Sequence, residues 1–513
     1  MYSFQMKNIK AFSDSGEIVL KPITILVGKN SCGKSSLLRF PAMLSQTASS
    51  NVKEPPVFLF GDNLDYGNFE DVVHGKNGKS FSFSISYKID ISRNSRFITD
   101  LDRVVRITRN KALEVYKKVT VEATVSRIRK HLKVDRFVVR IEDEVLSELY
   151  WDTKIKSYVF NAFLVYEDNE LRQINERILF PKKALSFDKF FPLYDDSYIV
   201  KSIIKSNNIE IDLERYILVE RATYLASVGT KSNEIFTPEE LRLFNIKMAF
   251  DYSSEIVRLI YTYFSIEFKN QVAYIGPFRK TPSRIYRFSE TTRNHVGATG
   301  EYVGDLLFGS YQKKDGIFKS ISNWLYNNYG YHIDIKDLGN NFFQIVLKDN
   351  HLTTNVIDVG FGISQVLPIV SEISVIINRD NNRGLPNNNI LLVEQPELHL
   401  HPASQASLAE LFTMCVTENK NARLIIETHS EHLISKLQVL IADPECPLTR
   451  DMVQILYVDK DDSGEAFIRE MTITENGNFE EEWPSGFFDQ GYNLAYELMK
   501  KSASRRREST HDA

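Results

Sequence analysis

The sequence predicts an α/β phosphate-binding core interrupted by a large insertion, and three observations carry that expectation. The apolar run Ile23-Thr24-Ile25-Leu26-Val27 leads into Gly28-Lys29-Asn30-Ser31-Cys32-Gly33-Lys34-Ser35 and then a helical start at Ser36-Leu37-Leu38, the strand, Gly-rich turn and helix of a P-loop. Far downstream, Asn389-Ile390-Leu391-Leu392-Val393 ends in Glu394-Gln395-Pro396-Glu397, and Arg423-Leu424-Ile425-Ile426 ends in Glu427-Thr428-His429-Ser430. Both are buried-type strands closing on polar residues. The text between the two halves, from about 81 to 270, repeats none of this.

Composition narrows the class. A chain of 513 residues with 43% hydrophobic and 25% charged residues is ordinary globular protein, long enough for several domains. A net charge of −4 gives no global indication of nucleic acid. No run approaches the roughly 18 apolar residues of a membrane span. Met1-Tyr2-Ser3-Phe4-Gln5-Met6-Lys7 reads as a strand rather than a basic-then-apolar leader, so the expected location is the cytoplasm, with no membrane partner. Cys32, Cys415 and Cys446 are too few for a disulfide framework and fit no zinc spacing.

Taken in order, residues 1–80 form the N-terminal half of the core. They contain the hairpin-like Phe4–Lys10 and Glu17–Leu20 runs as well as the P-loop. Residues 81–270 are an inserted lid or interaction domain. It opens with the alternating Ser80-Phe81-Ser82-Phe83-Ser84-Ile85-Ser86-Tyr87, passes through Lys/Arg-rich segments, and ends in amphipathic helices such as that starting at Pro238-Glu239-Glu240. Residues 271–440 return to core-like strands, and 441–513 are a C-terminal appendage with a basic tail.

The P-loop implies ATP and Mg²⁺. Backbone N–H groups of Gly28, Asn30, Ser31, Cys32 and Gly33 and the start of the helix face the phosphates, Lys34 adds a mobile charge, and Ser35, followed by Ser36, offers a hydroxyl to the metal. The acid-tipped strand has the form of a Walker B segment, whose Glu394 completes the metal site. His429 can reach a γ-phosphate or an attacking water. Asp358-Val359-Gly360-Phe361-Gly362-Ile363-Ser364-Gln365 is a Gly-rich turn opening a helix, again a phosphate-binding geometry.

This ordered set, with Leu398-His399-Leu400-His401-Pro402 after the Walker B acids and Thr428-His429-Ser430, resembles the ABC/SMC-type ATPase heads of bacterial defence and repair proteins. Among them are the ATPase part of OLD-family nucleases and the PtuA subunit of Septu-type anti-phage systems. Trp483-Pro484-Ser485-Gly486-Phe487-Phe488-Asp489 is similar to a C-terminal domain of unknown function that accompanies some of them. The resemblance covers residues 1 to about 75 and 271 to 490. It implies an ABC-type head with a mixed sheet, carrying an inserted α+β and helical lid. It implies an ATP sandwich between two subunits, hence a homodimer or higher homo-oligomer. Gly360, Gly362 and Ser364 would then touch the partner's γ-phosphate, and His429 would be the switch histidine.

Two departures bear on mechanism. Glu394 stands where such heads carry Asp, and Gln395 stands at the usual catalytic glutamate. An amide orients water but accepts no proton, so Glu397, His429 or the phosphate itself must do so, or turnover is slow. In addition, Val359 rather than serine precedes Gly360, and Ser364 falls inside the helix start.

Other features have plainer readings. His399 and His401 beside Glu394 and Glu397 invite a metal cluster, but such positions more often hold loop structure. Asp459-Lys460-Asp461-Asp462-Ser463-Gly464 resembles the paired aspartates of a Toprim nuclease and equally suits a hairpin turn, which is favoured. The basic run from Arg103 to Arg140 is either a phosphate-backbone groove for nucleic acid or a solvated face relieved by Glu114 and Glu122. Lys10 and Phe12 are candidates for flanking adenine. Arg279, Arg284 and Arg287 lie in and just after a segment, Tyr274–Arg279, that is similar to one recurring in this branch, and spacing assigns them no role.

The expected function is thus an ATPase acting as a nucleotide-gated sensor or scaffold that controls a separate effector, a nuclease, in anti-phage defence. The alternatives are a nuclease with built-in ATPase regulation and a DNA-repair or chromosome-organising ATPase, although the chain lacks the long heptads of the latter.

Overall fold

The computed structural model describes residues 1–61, 64–75, 78–90, 116–167, 170–180, 185–194, 202–203, 205, 237–289, 293–349, 351–378, 389–484, 494 and 496–501. In chain order, β1 (Ser3–Ile9), β2 (Phe12–Asp14) and β3 (Ile18–Val19) precede β4 (Ile23–Gly28), α1 (Lys34–Ser49) and α2 (Phe69–Val72). Next come β5 (Ser80–Asp90), β6 (Tyr116–Ile128), β7 (His131–Ile141), β8 (Glu144–Asp152), β9 (Ser157–Glu167), β10 (Glu170–Phe180), β11 (Leu185–Asp188), β12 (Phe191–Tyr194) and α3 (Pro238–Asn270). They are followed by β13 (Val272–Ile275), β14 (Tyr286–Arg287), α4 (Val303–Lys313), α5 (Ile317–Tyr329), β15 (His332–Gly339), β16 (Phe342–Lys348), β17 (Thr353–Asn355) and α6 (Phe361–Ile377). The last elements are β18 (Asn389–Glu394), α7 (Pro402–Glu418), β19 (Ala422–Glu427), α8 (Glu431–Ala442), β20 (Val453–Lys460) and β21 (Ala466–Met471).

The chain divides into two units, one of Met1–Leu20 with Arg39–Val272 and one of Lys21–Leu38 with Ala273–Ala513. These boundaries differ from those expected from pattern. The N-terminal strand joins the sheet of the insertion: β1 pairs antiparallel with β5 from Ser3↔Ser86 to Lys7↔Ser82. Their alternating apolar residues, Phe4 and Met6 against Phe81, Phe83 and Ile85, are buried together.

In this first unit the strand order is β10-β9-β8-β7-β6-β5-β1-β2, with β3 pairing the start of β1 opposite β5. Aromatic residues fill its core, with Phe190 lying 5.0 Å from Phe83 and 5.1 Å from Phe264 of α3. The start of α3 is set by sequence. Thr237 accepts from the Glu240 amide at 3.2 Å and Glu240 reaches back to the Thr237 amide at 2.8 Å, while Pro238 fixes the first helical φ.

The second unit holds the sheet β13-β18-β19-β4-β20-β21, in which β18, β19, β4 and β20 run parallel and β21 returns antiparallel. Every residue of β4, β18 and β20 except Lys460 is buried, the uninterrupted burial that a parallel sheet covered on both faces demands. Ile25, Val27, Leu391, Val393, Leu424, Ile426, Ile455 and Tyr457 belong to one hydrophobic core with residues of α6, α7 and α8. A second sheet, β14-β16-β15 with β17 on β16, completes the unit. The expected C-terminal appendage therefore contributes β20 and β21 to the P-loop strand's own sheet. Trp483 stacks edge-on against Phe479 at 4.9 Å, and residues 485–489 of the Trp-Pro motif lie outside the described residues.

Candidate active site

In open α/β sheets, ligands bind beyond the carboxyl ends of the parallel strands, where unsatisfied backbone groups and loops converge. Here those ends form a row. Glu394 of β18 is in register with Glu427 of β19, Glu427 with Leu26 of β4, and Gly28 of β4 with Val458 of β20.

The P-loop occupies the middle of the row. Gly28 has φ 138°, and a Cβ there would lie 1.9 Å from the Val458 carbonyl oxygen, so only glycine lets β4 and β20 approach while the chain turns. Ser31 (φ 63°) and Gly33 (φ 111°) continue the left-handed backbone, a sequence that turns successive N–H groups towards one concavity. Asn30 and Ser31 are exposed, Cys32 is buried, and Ser35 and Ser36 are half-buried in the first turn of α1. Lys34 is buried and donates to the carbonyls of Gly28 at 3.0 Å and Lys29 at 2.6 Å. Burial pushes its pKa down, and the Glu427 charge opposes that most. This concavity of N–H groups with a lysine and a hydroxyl fits a polyphosphate, and Ser35 with Glu394 supplies hard oxygen donors suited to Mg²⁺.

The Walker B side is built from three segments. Glu394 is buried, and its Oε1 accepts the Tyr274 hydroxyl at 2.8 Å. Arg279 donates through Nη2 to the carbonyl of Glu394 at 2.8 Å and to that of Gln395 at 3.4 Å. Gln395 sits at φ 42°, a strained conformation for a side-chain-bearing residue, and its backbone N–H donates to the Glu427 carbonyl at 2.8 Å. Arg279 is almost fully enclosed: burial brings its pKa down to about 10, with Glu397 and then Glu394 opposing, and its Nε and Nη1 find no acceptor among the described residues. Glu397 bridges to the next strand end, its Oε1 accepting the His429 amide at 2.7 Å and its Oε2 the Thr428 hydroxyl at 2.8 Å. Burial raises the pKa of Glu397 despite those donors. His429 is exposed on one side, and desolvation first and the Lys34 charge second hold it below its ordinary pKa.

Ser430 then caps α8, accepting from the Leu433 amide at 3.0 Å and donating to Gln405 at 2.6 Å. His399, at φ 61°, is exposed, and His401 caps α7 by accepting from the Ala403 amide at 3.3 Å. No group of three or more metal-ligating side chains occurs among the described residues. Gly360 and Gly362 open α6, where a Cβ on Gly362 would come 3.4 Å from Leu400, and Ser364 lies buried one turn inside. Arg284 forks onto Asp358 in front of this turn.

The structure thus brings Gly28, Lys34, Glu394, Gln395, Glu397 and His429 to one sheet edge. Tyr274, Arg279, Glu427 and Asp459 belong there too. Tyr274, Arg279 and Glu427 were quoted in the sequence without a site role, and Asp459 only as half of a possible nuclease pair; for Glu427 and Asp459 the available signal was an acid at the last buried position of a strand. Asp459 lies against the P-loop, 2.8 Å from Lys29 Nζ, while Asp461 takes the amides of Ser463 and Glu465 in the hairpin turn. Phe12 is fully buried in the first unit and offers no open face to adenine, and Lys10 lies 5.2 Å above the Tyr66 ring. In the basic stretch, Arg127 pairs with Glu70, Lys118 with Glu17 at 2.6 Å and Arg136 with Glu148 at 2.5 Å, and Lys133 sits 3.0 Å above the Trp151 ring. Residues 103–115 lie outside the described residues.

The AAA ATPase domain family matches residues 1–434, and a family described as protein of unknown function (DUF3696) matches residues 448–498. Among solved structures, the chain is similar to the Smc head domain of Pyrococcus furiosus with an extended coiled coil, bound to the C-terminal domain of ScpA. The identity is 12% and the TM-score 0.38, covering 92% of this chain and 96% of that one. It is also similar to the SMC head domain of Thermotoga maritima, at 9% identity and TM-score 0.35, covering 92% and 98%. No curated protein matches.

Proposed function

The chain belongs to the AAA ATPase domain family, and on that premise we propose that it is a slow Mg²⁺-dependent ATPase of the ABC/SMC-like kind, acting as the nucleotide-gated sensor and scaffold of an anti-phage defence complex. Lys34 and the loop amides bind the phosphates, and Ser35 with Glu394 holds Mg²⁺, which would draw charge from the phosphate oxygens. Gln395 orients the attacking water through its amide. Glu397 accepts the water's proton on a carboxylate oxygen, and His429 reads the γ-phosphate. Gly360, Gly362 and Ser364 of a second copy close the site, which makes the active form a dimer. A separate nuclease delivers the outcome, and the complex works in the cytoplasm.

Glu397 carries this reading. It is the carboxylate that hydrogen-bonds the switch turn Thr428–His429, and its raised pKa makes it a better base than a solvated glutamate. With an amide at Gln395, the proton acceptor sits two residues further along the loop, an arrangement suited to slow switching.

Phosphate release by the purified chain tests the first half. The expected turnover falls below the roughly 1–10³ s⁻¹ of common enzymes. Light scattering should show an ATP-dependent dimer, and a nuclease should copurify from the native host. Mg²⁺-dependent DNA or RNA cleavage by the chain alone, lost in Asp461→Ala, would replace the scaffold with a nuclease.

A further inference from the structure

The last strand of the parallel row ends in a charge that the reaction above leaves unused. Asp459 follows Val458, which is in register with Gly28, so the carboxylate is carried to the flank of the P-loop by strand pairing. It is buried, and four groups converge on it: Lys29 Nζ at 2.8 Å, the Lys460 amide at 2.9 Å, the Tyr457 hydroxyl at 3.0 Å and the Cys32 thiol at 3.5 Å. Burial works to raise its pKa, but the hydrogen bonds from Lys29, Lys460 and Tyr457 prevail and hold it below the ordinary aspartate range. The carboxylate is therefore charged and fixed.

Its partner is charged but not fixed. The Lys29 side chain is 62% exposed, whereas that of Asp459 is 11% exposed. A solvated ammonium on a flexible stem forms a weak, exchangeable pair, and a polyphosphate carrying several charges competes well against one carboxylate. Lys34, by contrast, is enclosed and bonded to the loop's own carbonyls, including that of Lys29. The loop thus carries two lysines of different kinds, one built in and one hinged at the rim beside a fixed anion.

We propose that Lys29 is a second phosphate-binding lysine of the P-loop and that Asp459, supplied by the C-terminal part of the chain, is the counter-ion from which the nucleotide phosphates take it. The strand end β20 thereby sets nucleotide affinity: the fixed carboxylate repels the phosphates and withholds Lys29 from them. This rests on the reading of the site as a nucleotide site.

Calorimetry of ATP and ADP on the full chain tests it. Lys29→Met should weaken ATP about tenfold and ADP less, with Lys29→Arg restoring most of the loss. Asp459→Asn should tighten ATP about fivefold, and the gain should shrink to under about twofold when Lys29→Met is also present. A merely structural brace predicts the opposite sign for Asp459→Asn, weaker ATP with a lower unfolding midpoint, and that result overturns the proposal. Lys29 is exposed, so Lys29→Met folds whatever happens at Asp459, and unchanged ATP affinity in that variant also overturns it. Failure of the wild-type chain to bind ATP would sink the ATPase reading itself, whereas binding that is lost in Lys34→Ala but indifferent to Lys29 sinks only the proposed exchange.

Discussion

The two units place their charges differently. In the antiparallel sheet of the first unit, Arg136, Arg140 and Lys118 find Glu148, Glu122 and Glu17 on neighbouring strands or loops, and the pairs stay partly open to solvent. In the parallel sheet of the second, Lys34, Glu394, Arg279, Glu427 and Asp459 are buried at the strand ends. Strand direction explains the contrast. Antiparallel hairpins send successive strand ends to opposite edges, so their charges pair locally across the ladder. Parallel strands all finish at the same edge, so residues hundreds of positions apart meet there, desolvated and coupled. Solvated pairs contribute little, whereas buried ones are expensive to disturb.

If the comparison holds, perturbation should grow from the first unit to the strand-end row. The largest effect belongs to Lys34→Ala, which should weaken ATP binding by at least about 100-fold while leaving the unfolding midpoint close to wild type, as calorimetry and thermal melts would report. Retained affinity would break the contrast at its centre. Glu397→Gln comes next: turnover should fall on the order of 100-fold with ATP affinity little changed. Because burial raises the pKa of Glu397, wild-type turnover should climb with pH as that carboxylate loses its proton above the ordinary glutamate range. The variant should lack this acid limb in a pH–rate profile.

Gln395→Glu should act in the other direction, speeding phosphate release by about tenfold by placing a base beside the water. Loss of activity instead would show that the strained turn at φ 42° tolerates only the amide. Arg279→Met should lower stability in denaturant titration by about 2 to 3 kcal/mol, since two carbonyls of that strained turn lose a charged donor. The smallest effect is expected for joint neutralisation of Arg127, Arg129, Lys130 and Lys133. The midpoint should move by no more than about 3 °C, and nucleic-acid affinity and its salt slope should not change. A marked loss of salt-dependent binding would favour the groove reading for the first unit.

Legibility in the sequence followed the range of the interactions. The P-loop could be read because its strand, turn and helix are contiguous and its glycines are required by local backbone conformation, as φ 138° at Gly28 bears out. The cap of α3 was equally local, a Thr-Pro-Glu-Glu string that closes on itself. Walker B was visible as acids at the end of an apolar strand, but Tyr274 and Arg279 were not assigned, because nothing near them in sequence says which carbonyl or carboxylate they meet. β1 was placed with the P-loop by proximity along the chain, yet its alternating apolar face matches that of β5 and it pairs there.

The sequence by itself determined the elements whose forces act within about ten residues: the loop that turns its amides inward, the capped helices, and the strands with their buried faces. Only the tertiary structure decided which strands became neighbours. A period-2 or all-apolar pattern specifies that a strand is buried but not beside what, and sheet order emerges from the summed burial of every strand together. That order carries Asp459 to Lys29 and Glu397 to His429, and it turned a hairpin acid into a neighbour of the phosphate loop.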